Sequence, residues 1–142
     1  MAIDDLRKND MMSHLLNALQ AGTDIGHYGR ITFAMVARHF MSDDELVRWL
    51  TRDPSFDEHQ ARGLVQQVRS RDYNPPRPDR IAEWQRQQAF PICPNVDDPD
   101  GCNVYRNLRF PDGVYDSIQQ YHEQKATAEE AGARASQGSS SR

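Results

Sequence analysis

From Ile3 to Leu19 the apolar residues Leu6, Met11, Met12, Leu15, Leu16 and Leu19 recur at the three- and four-residue steps of one helix face. Gly22 then stands where a helix C-terminal glycine would. A second helix is predicted over residues 25–41, where Phe33, Val36, Ala37 and Phe40 form a stripe to be buried and the opposite face is polar. Ser42 followed by Glu45 has the pattern of a capping box opening a short helix through Leu46, Trp49 and Leu50. Ser55 with Glu58 repeats that pattern before a helix running to about Arg69.

The segment Tyr73-Asn74-Pro75-Pro76-Arg77-Pro78 interrupts the helices, because each proline lacks an amide donor and restricts the residue before it. Asp79 is then placed to cap a helix reaching about Gln88. Residues 91–111 read as irregular, and Asp112 can cap a last helix presenting Val114, Ile118 and Tyr121. From Lys125 onward there is nothing to bury, so residues 125–142 read as a disordered tail. These elements predict a mainly α protein: one compact domain over residues 1–124, of about five to six helices with an irregular loop holding both cysteines.

The length of 142 residues fits a single core, and 37% hydrophobic residues suffice to build one although the mean hydropathy is −0.84. No apolar run approaches the roughly 20 residues that span a bilayer, and the first residues lack an apolar signal core, so a soluble cytoplasmic protein is expected. Arginine outnumbers lysine 15 to 2, yet 21 acidic residues leave a net charge of −4. The global field therefore does not point to nucleic acid. Residues 60–90 are locally basic, with Arg62, Arg69, Arg71, Arg77, Arg80 and Arg86 against Asp72, Asp79 and Glu83.

On the second helix His27, Arg30 and Arg38 fall within an arc of about 80°, opposite the apolar stripe. Guanidinium forks and free amides at a helix start suit a phosphate, while the same pattern also describes a solvated face with acid-paired arginines. Trp49, Tyr73 and Trp84 lie in or beside the basic middle, where rings can stack on bases. Burial is expected for the two tryptophans and exposure for Tyr73, beside its double proline.

Cys93 and Cys102 are too few for a structural zinc site. They are compatible with reduced buried thiols, with a disulfide or redox pair, or with a metal-site remnant that His14, His39 or His122 would have to complete. Asp98 and Asp100 form a D-x-D in a Pro/Gly loop, and Val96 breaks any EF-hand reading. No nucleophile elbow, P-loop, metalloprotease or dinucleotide motif occurs, so an independent enzyme is not expected.

The ordered series of a helix ending in Gly22, Ile25-Gly26-His27-Tyr28-Gly29-Arg30, Met41-Ser42-Asp43-Asp44-Glu45-Leu46, Phe56-Asp57-Glu58, a Val65/Val68 helix and Tyr73-Asn74-Pro75-Pro76 resembles the C-terminal domain of the large subunit of archaeal and eukaryotic DNA primase. The resemblance runs from about Met11 to Tyr121 and rests most on the H-x-x-R of His27 and Arg30 and the Y-x-P-P from Tyr73. It implies a helical domain that engages template and the 5′-triphosphate of the initiating nucleotide through His27, Arg30 and Arg38, with Arg69, Arg71 and Tyr73 as further contacts. That family holds a four-cysteine iron–sulfur cluster. Here Met11 and Pro78 stand at two of the ligand positions and only Cys93 and Cys102 remain, so no cluster is expected. In this respect the chain is similar to the small cluster-free third subunit of some archaeal primases.

The expected function is thus a non-catalytic primase accessory subunit. Its partners would be a primase catalytic subunit or equivalent polymerase, template DNA or the primer 5′ end, and a nucleotide triphosphate, with no membrane. The alternatives are an adaptor that binds only protein on a degenerate primase-like fold, and a two-cysteine metal or redox protein.

Overall fold

A computed structural model describes residues 2–94 and 102–118. They are mainly helical and contain no strand. The helices are α1 (Ala2–Leu6), α2 (Asp10–Gln20), α3 (Gly26–Ala37), α4 (Asp43–Leu50), α5 (Glu58–Ser70), α6 (Pro78–Gln85) and α7 (Val104–Asn107). The backbone divides into two compact units, Met1–Arg109 and Phe110–Arg142. In the second, residues 112–118 are helical, and the backbone N–H of Phe110 donates to the Tyr115 hydroxyl at 3.1 Å. The last predicted helix thus belongs to a separate unit, while Tyr121, His122 and the expected tail lie outside the described residues.

The apolar stripe predicted for the N-terminus is buried, with Leu6, Met11, Met12, Leu15, Leu16 and Leu19 all inaccessible. It is carried by two helices rather than one. Asn9, fully buried, caps α2 by accepting the Met12 amide, and its Nδ2 donates to Asn103 O at 3.4 Å and to Asn107 Oδ1 at 3.3 Å. One side chain therefore starts α2 and ties α7 to it; α7 itself falls in the segment expected to be irregular.

Gly22 closes α2 as predicted: at φ +73° its N–H donates to Leu19 O while Thr23 N–H reaches back to Ala18 O. This is a Schellman ending, which needs a left-handed residue at that position. The same pair of bonds ends α5, where Asp72, a non-glycine, takes φ 50°.

Helix α3 is the centre of the first unit and packs against α2, α4, α5 and α6. It ends at Ala37, earlier than the stripe predicted, and Phe40 is half-exposed beyond it. From Thr32 to Ala37 every residue is buried, so its second half has no polar face. Ser42 caps α4 as expected, accepting the Glu45 amide at 3.2 Å. The cap of α5, however, is Asp57 with Gln60 returning the bond, not Ser55 with Glu58. The start of α6 is likewise shifted, with Arg77 as N-cap and Pro78 in the first turn, where a missing amide costs nothing.

Candidate nucleic-acid interface

The start of α3 is closed by side chains from three directions. Ile25 N–H donates to Asp53 Oδ2 at 3.0 Å, Gly26 N–H to Asp24 Oδ1 at 2.9 Å, and Tyr28 N–H to Gln88 Oε1 at 2.8 Å. The Gln88 amide also donates to Ile25 O at 2.9 Å and Phe90 O at 3.0 Å. Of the first-turn amides that a phosphate at this helix end would use, those of Gly26 and Tyr28 are already bonded within the chain.

The two arginines of this helix are likewise paired. Arg30, its side chain only 13% exposed, reaches Asp53 at 2.9 Å and Asp24 at 3.2 Å, and its guanidinium carbon lies 4.6 Å from the Phe56 ring centroid. The Gly26 amide and the Ser55 hydroxyl, followed by Arg30, hold the Asp24 carboxyl below the usual carboxylate range. Arg38, 7% exposed, bonds Asp72 at 2.6 Å and the Tyr73 carbonyl at 3.1 Å. Eight residues of helix put it about 12 Å along the axis from Arg30. The geometry matches the acid-paired alternative for both guanidinium groups, and the expected shared His27/Arg30/Arg38 phosphate face is not assembled. Only His27 of the three is exposed.

Of the other expected contacts, Arg69 bonds Asp43 across α4 and α5 at 2.5 Å, Tyr73 is half-buried, and Arg71 is exposed with no ion pair among the described residues. The two tryptophans, expected in the core, are both half-exposed. Trp84 stacks on Tyr28 with ring centroids 5.5 Å apart and planes 19° from parallel, joining α6 to α3. The His27 ring meets Tyr28 edge-on at 5.1 Å, and Arg80 lies 5.8 Å from the Trp84 centroid. The Tyr28 hydroxyl donates to Gln87 Oε1 at 3.1 Å. The strip His27, Tyr28, Trp84, Arg80 is therefore a surface of rings with a cation-bearing residue at one end and an imidazole at the other. Sequence reading missed Tyr28, whose partner lies 56 positions away.

Cys93 and Cys102 are joined as a disulfide with Cα atoms 5.7 Å apart. Of the readings left open by the sequence (reduced thiols, a bonded or redox pair, a metal-site remnant), the structure has the bonded pair, and each flank is held by a further hydrogen bond. The Cys93 N–H donates to Gln85 Oε1 at 2.6 Å on one side, and Asn103 is held by Asn9 on the other. Met11 lies in the core and Pro78 opens α6. Among the described residues no group of three or more His, Cys, Asp or Glu side chains could hold a metal ion. His14 instead stacks on Phe90 and its Nε2–H donates to Pro91 O at 2.8 Å, and Asp98 and Asp100 lie outside the described residues.

His39 follows Arg38 at the end of α3. Burial, reinforced by the Arg38 charge, pushes its pKa down to about 4 against an opposing pull from Asp72. Between the ordinary value of 6.5 and about 4 the unfolded chain binds the proton and the folded chain does not, so stability falls as pH drops through this window. His39→Gln is expected to flatten that fall. Urea midpoints for both proteins at pH 7 and about pH 4.5 test it; parallel losses in the two would assign the acid sensitivity elsewhere.

Comparison with family models, with curated proteins and with solved structures finds no match to this chain. Among the described residues no helix is long and apolar enough to cross a membrane. The class defined by fold and surface is an all-helical protein carrying a ring-and-cation strip across α3 and α6.

Proposed function

We propose that this chain is a non-catalytic accessory protein that holds a single nucleic-acid strand for a separate nucleotidyl-transferring subunit. The stacked Tyr28–Trp84 pair flanked by His27 and Arg80 carries the reading. Stacking on aromatic rings is sequence-tolerant, since every base has a π-face, and a neighbouring guanidinium adds attraction to base and phosphate alike. Such contacts position a strand without reading its sequence, which suits a template. The resemblance of the ordered motifs to the primase large-subunit domain supports primer synthesis as the process, with a primase catalytic subunit or equivalent polymerase as partner and a nucleotide triphosphate at the primer start. Arg30 and Arg38, paired internally, leave the strand contact to the strip.

Fluorescence anisotropy of the whole protein with a labelled single strand at low and moderate salt tests this reading. Trp84→Ala is expected to weaken binding by about 5- to 150-fold, the range set by about 1–3 kcal/mol per stacked base. Undiminished affinity in a folded Trp84→Ala protein would refute the strip as the contact. A second reading, an adaptor that binds only protein, is favoured by the internal pairing of Arg30 and Arg38; absence of strand binding by the wild type at low salt would select it.

A further inference from the structure

Around α4 the carboxylates are almost all engaged. Asp43 and Asp44, in its first turn, bond Arg69 and Arg62 of α5 at 2.5 and 3.2 Å. Asp53, just past its end, is bonded to Arg30 and to the Ile25 and Ser55 amides, and Asp57 caps α5. Glu45 stands one turn before Arg48 and makes no ion pair with it.

What remains at the other end of the helix is unbalanced. Arg48 and Arg52 are exposed, and among the described residues neither has a carboxylate within ion-pair distance. Arg48 lies in the last turn of α4, and Arg52 stands just past its C-cap, Thr51, in the turn that follows. Between them Trp49 is half-exposed, and the Arg52 guanidinium carbon sits 4.7 Å from its ring centroid. Leu46, Val47 and Leu50 turn inward, so Arg48 and Trp49 are the outward positions of the last turn of α4, with Arg52 exposed just beyond it.

We infer that Arg48, Trp49 and Arg52 form a second contact for the nucleic-acid strand, separate from the strip on α3 and α6; this rests on the strand-binding reading above. The phosphodiesters of a strand passing this end of α4 can accept from these two exposed guanidinium forks. Trp49 and the Arg52 guanidinium set over it are the kinds of group on which unpaired bases stack. An acidic peptide would satisfy the charges and leave the half-exposed indole without a base to stack on, so a ring set among cations fits a strand better.

The test uses the full chain with a labelled single strand of about 15 nucleotides, at several salt concentrations, and with polyglutamate as competitor. Arg48→Glu/Arg52→Glu is expected to weaken strand binding at least tenfold and to flatten the dependence of log affinity on log salt by about 1.4, two contacts at about 0.7 each. Arg48→Gln/Arg52→Gln should fall between that and wild type, and gives the same reading if the charge reversal disturbs folding. Undiminished strand affinity in the folded arginine variants, with Trp84→Ala impaired, overturns this second contact and leaves the strip in place. Absence of strand binding by the wild type overturns both. Polyglutamate displacing the strand in the wild type but not in the Gln variant overturns the nucleic-acid assignment in favour of an acidic protein.

Discussion

Asp53→Ala is expected to destabilise the protein by about 3–5 kcal/mol, the range seen when one partner of a buried ion pair is removed. The carboxylate is fully buried and accepts three bonds: Ile25 N–H at 3.0 Å, Ser55 N–H at 2.8 Å and Arg30 Nη1 at 2.9 Å. Alanine strips a charge from a site whose remaining groups are all donors. It leaves two amides without their acceptor and the Arg30 guanidinium with only Asp24, which is half in water. The loss also reaches across the fold, since Ile25 precedes α3 and Ser55 precedes α5. Asp53→Asn should be milder, because its amide oxygen can still accept. Urea unfolding of the three proteins measures this; a loss under about 1 kcal/mol for the alanine variant would mean that water replaces the carboxylate.

The same geometry decides how Arg30 can be used as a probe. As a nucleotide contact of the kind the resemblance implies, Arg30 could be changed to Ala to weaken binding without unfolding the domain. In the structure Arg30 neutralises Asp53 and covers Phe56, so its removal leaves a buried carboxylate uncompensated. Weak strand binding by Arg30→Ala would report unfolding as readily as a lost contact. Trp84 and Arg52, half-exposed and exposed, are the better positions to change.

What was legible in the sequence is what local chemistry dictates. Gly22 needs a left-handed conformation, Ser42 is a strong cap, and the double proline cannot be helical; each is found where the residues indicate. The apolar periodicity likewise found the buried faces of α2 and α5, and for α4 found Leu46 and Leu50 but took the half-exposed Trp49 in place of the buried Val47. Errors arose where two local signals competed. Ser55 and Asp57 both suit a helix cap, and tertiary bonds decided: Ser55 Oγ donates to Asp24 at 2.8 Å and its N–H to Asp53, leaving Asp57 to open α5. Asn9 is a cap signal inside an apolar periodic run, and periodicity alone passes over it. The candidate surface was illegible for a different reason. Whether an arginine faces water or a carboxylate depends on residues such as Asp53 and Asp72, 23 and 34 positions away from Arg30 and Arg38, and no helical wheel brings those together.

Gly26→Ala is the second large effect, about 3 kcal/mol of lost stability. At φ +79° alanine meets the cost of a left-handed conformation, about 1–2 kcal/mol. Its Cβ would also lie 2.6 Å from Gln88 Oε1 and 2.7 Å from Nε2. Those atoms end a flexible side chain and can swing away, but only by releasing Tyr28 N–H, Ile25 O and Phe90 O, each bond worth about 0.5–1.5 kcal/mol. The clash is therefore converted into lost hydrogen bonds, and a cycle separates the two. Gln88→Ala alone loses the bonds, and Gly26→Ala in that background meets only the backbone cost, so the double variant should be less destabilised than the sum of the singles. Additivity within about 0.5 kcal/mol would show that Gln88 does not hold the start of α3. The same cycle bears on the strip, because Gln88 sets the first turn of α3, from which Tyr28 stacks on Trp84. Released from it, Tyr28 should lose its near-UV dichroism while the far-UV helix signal persists.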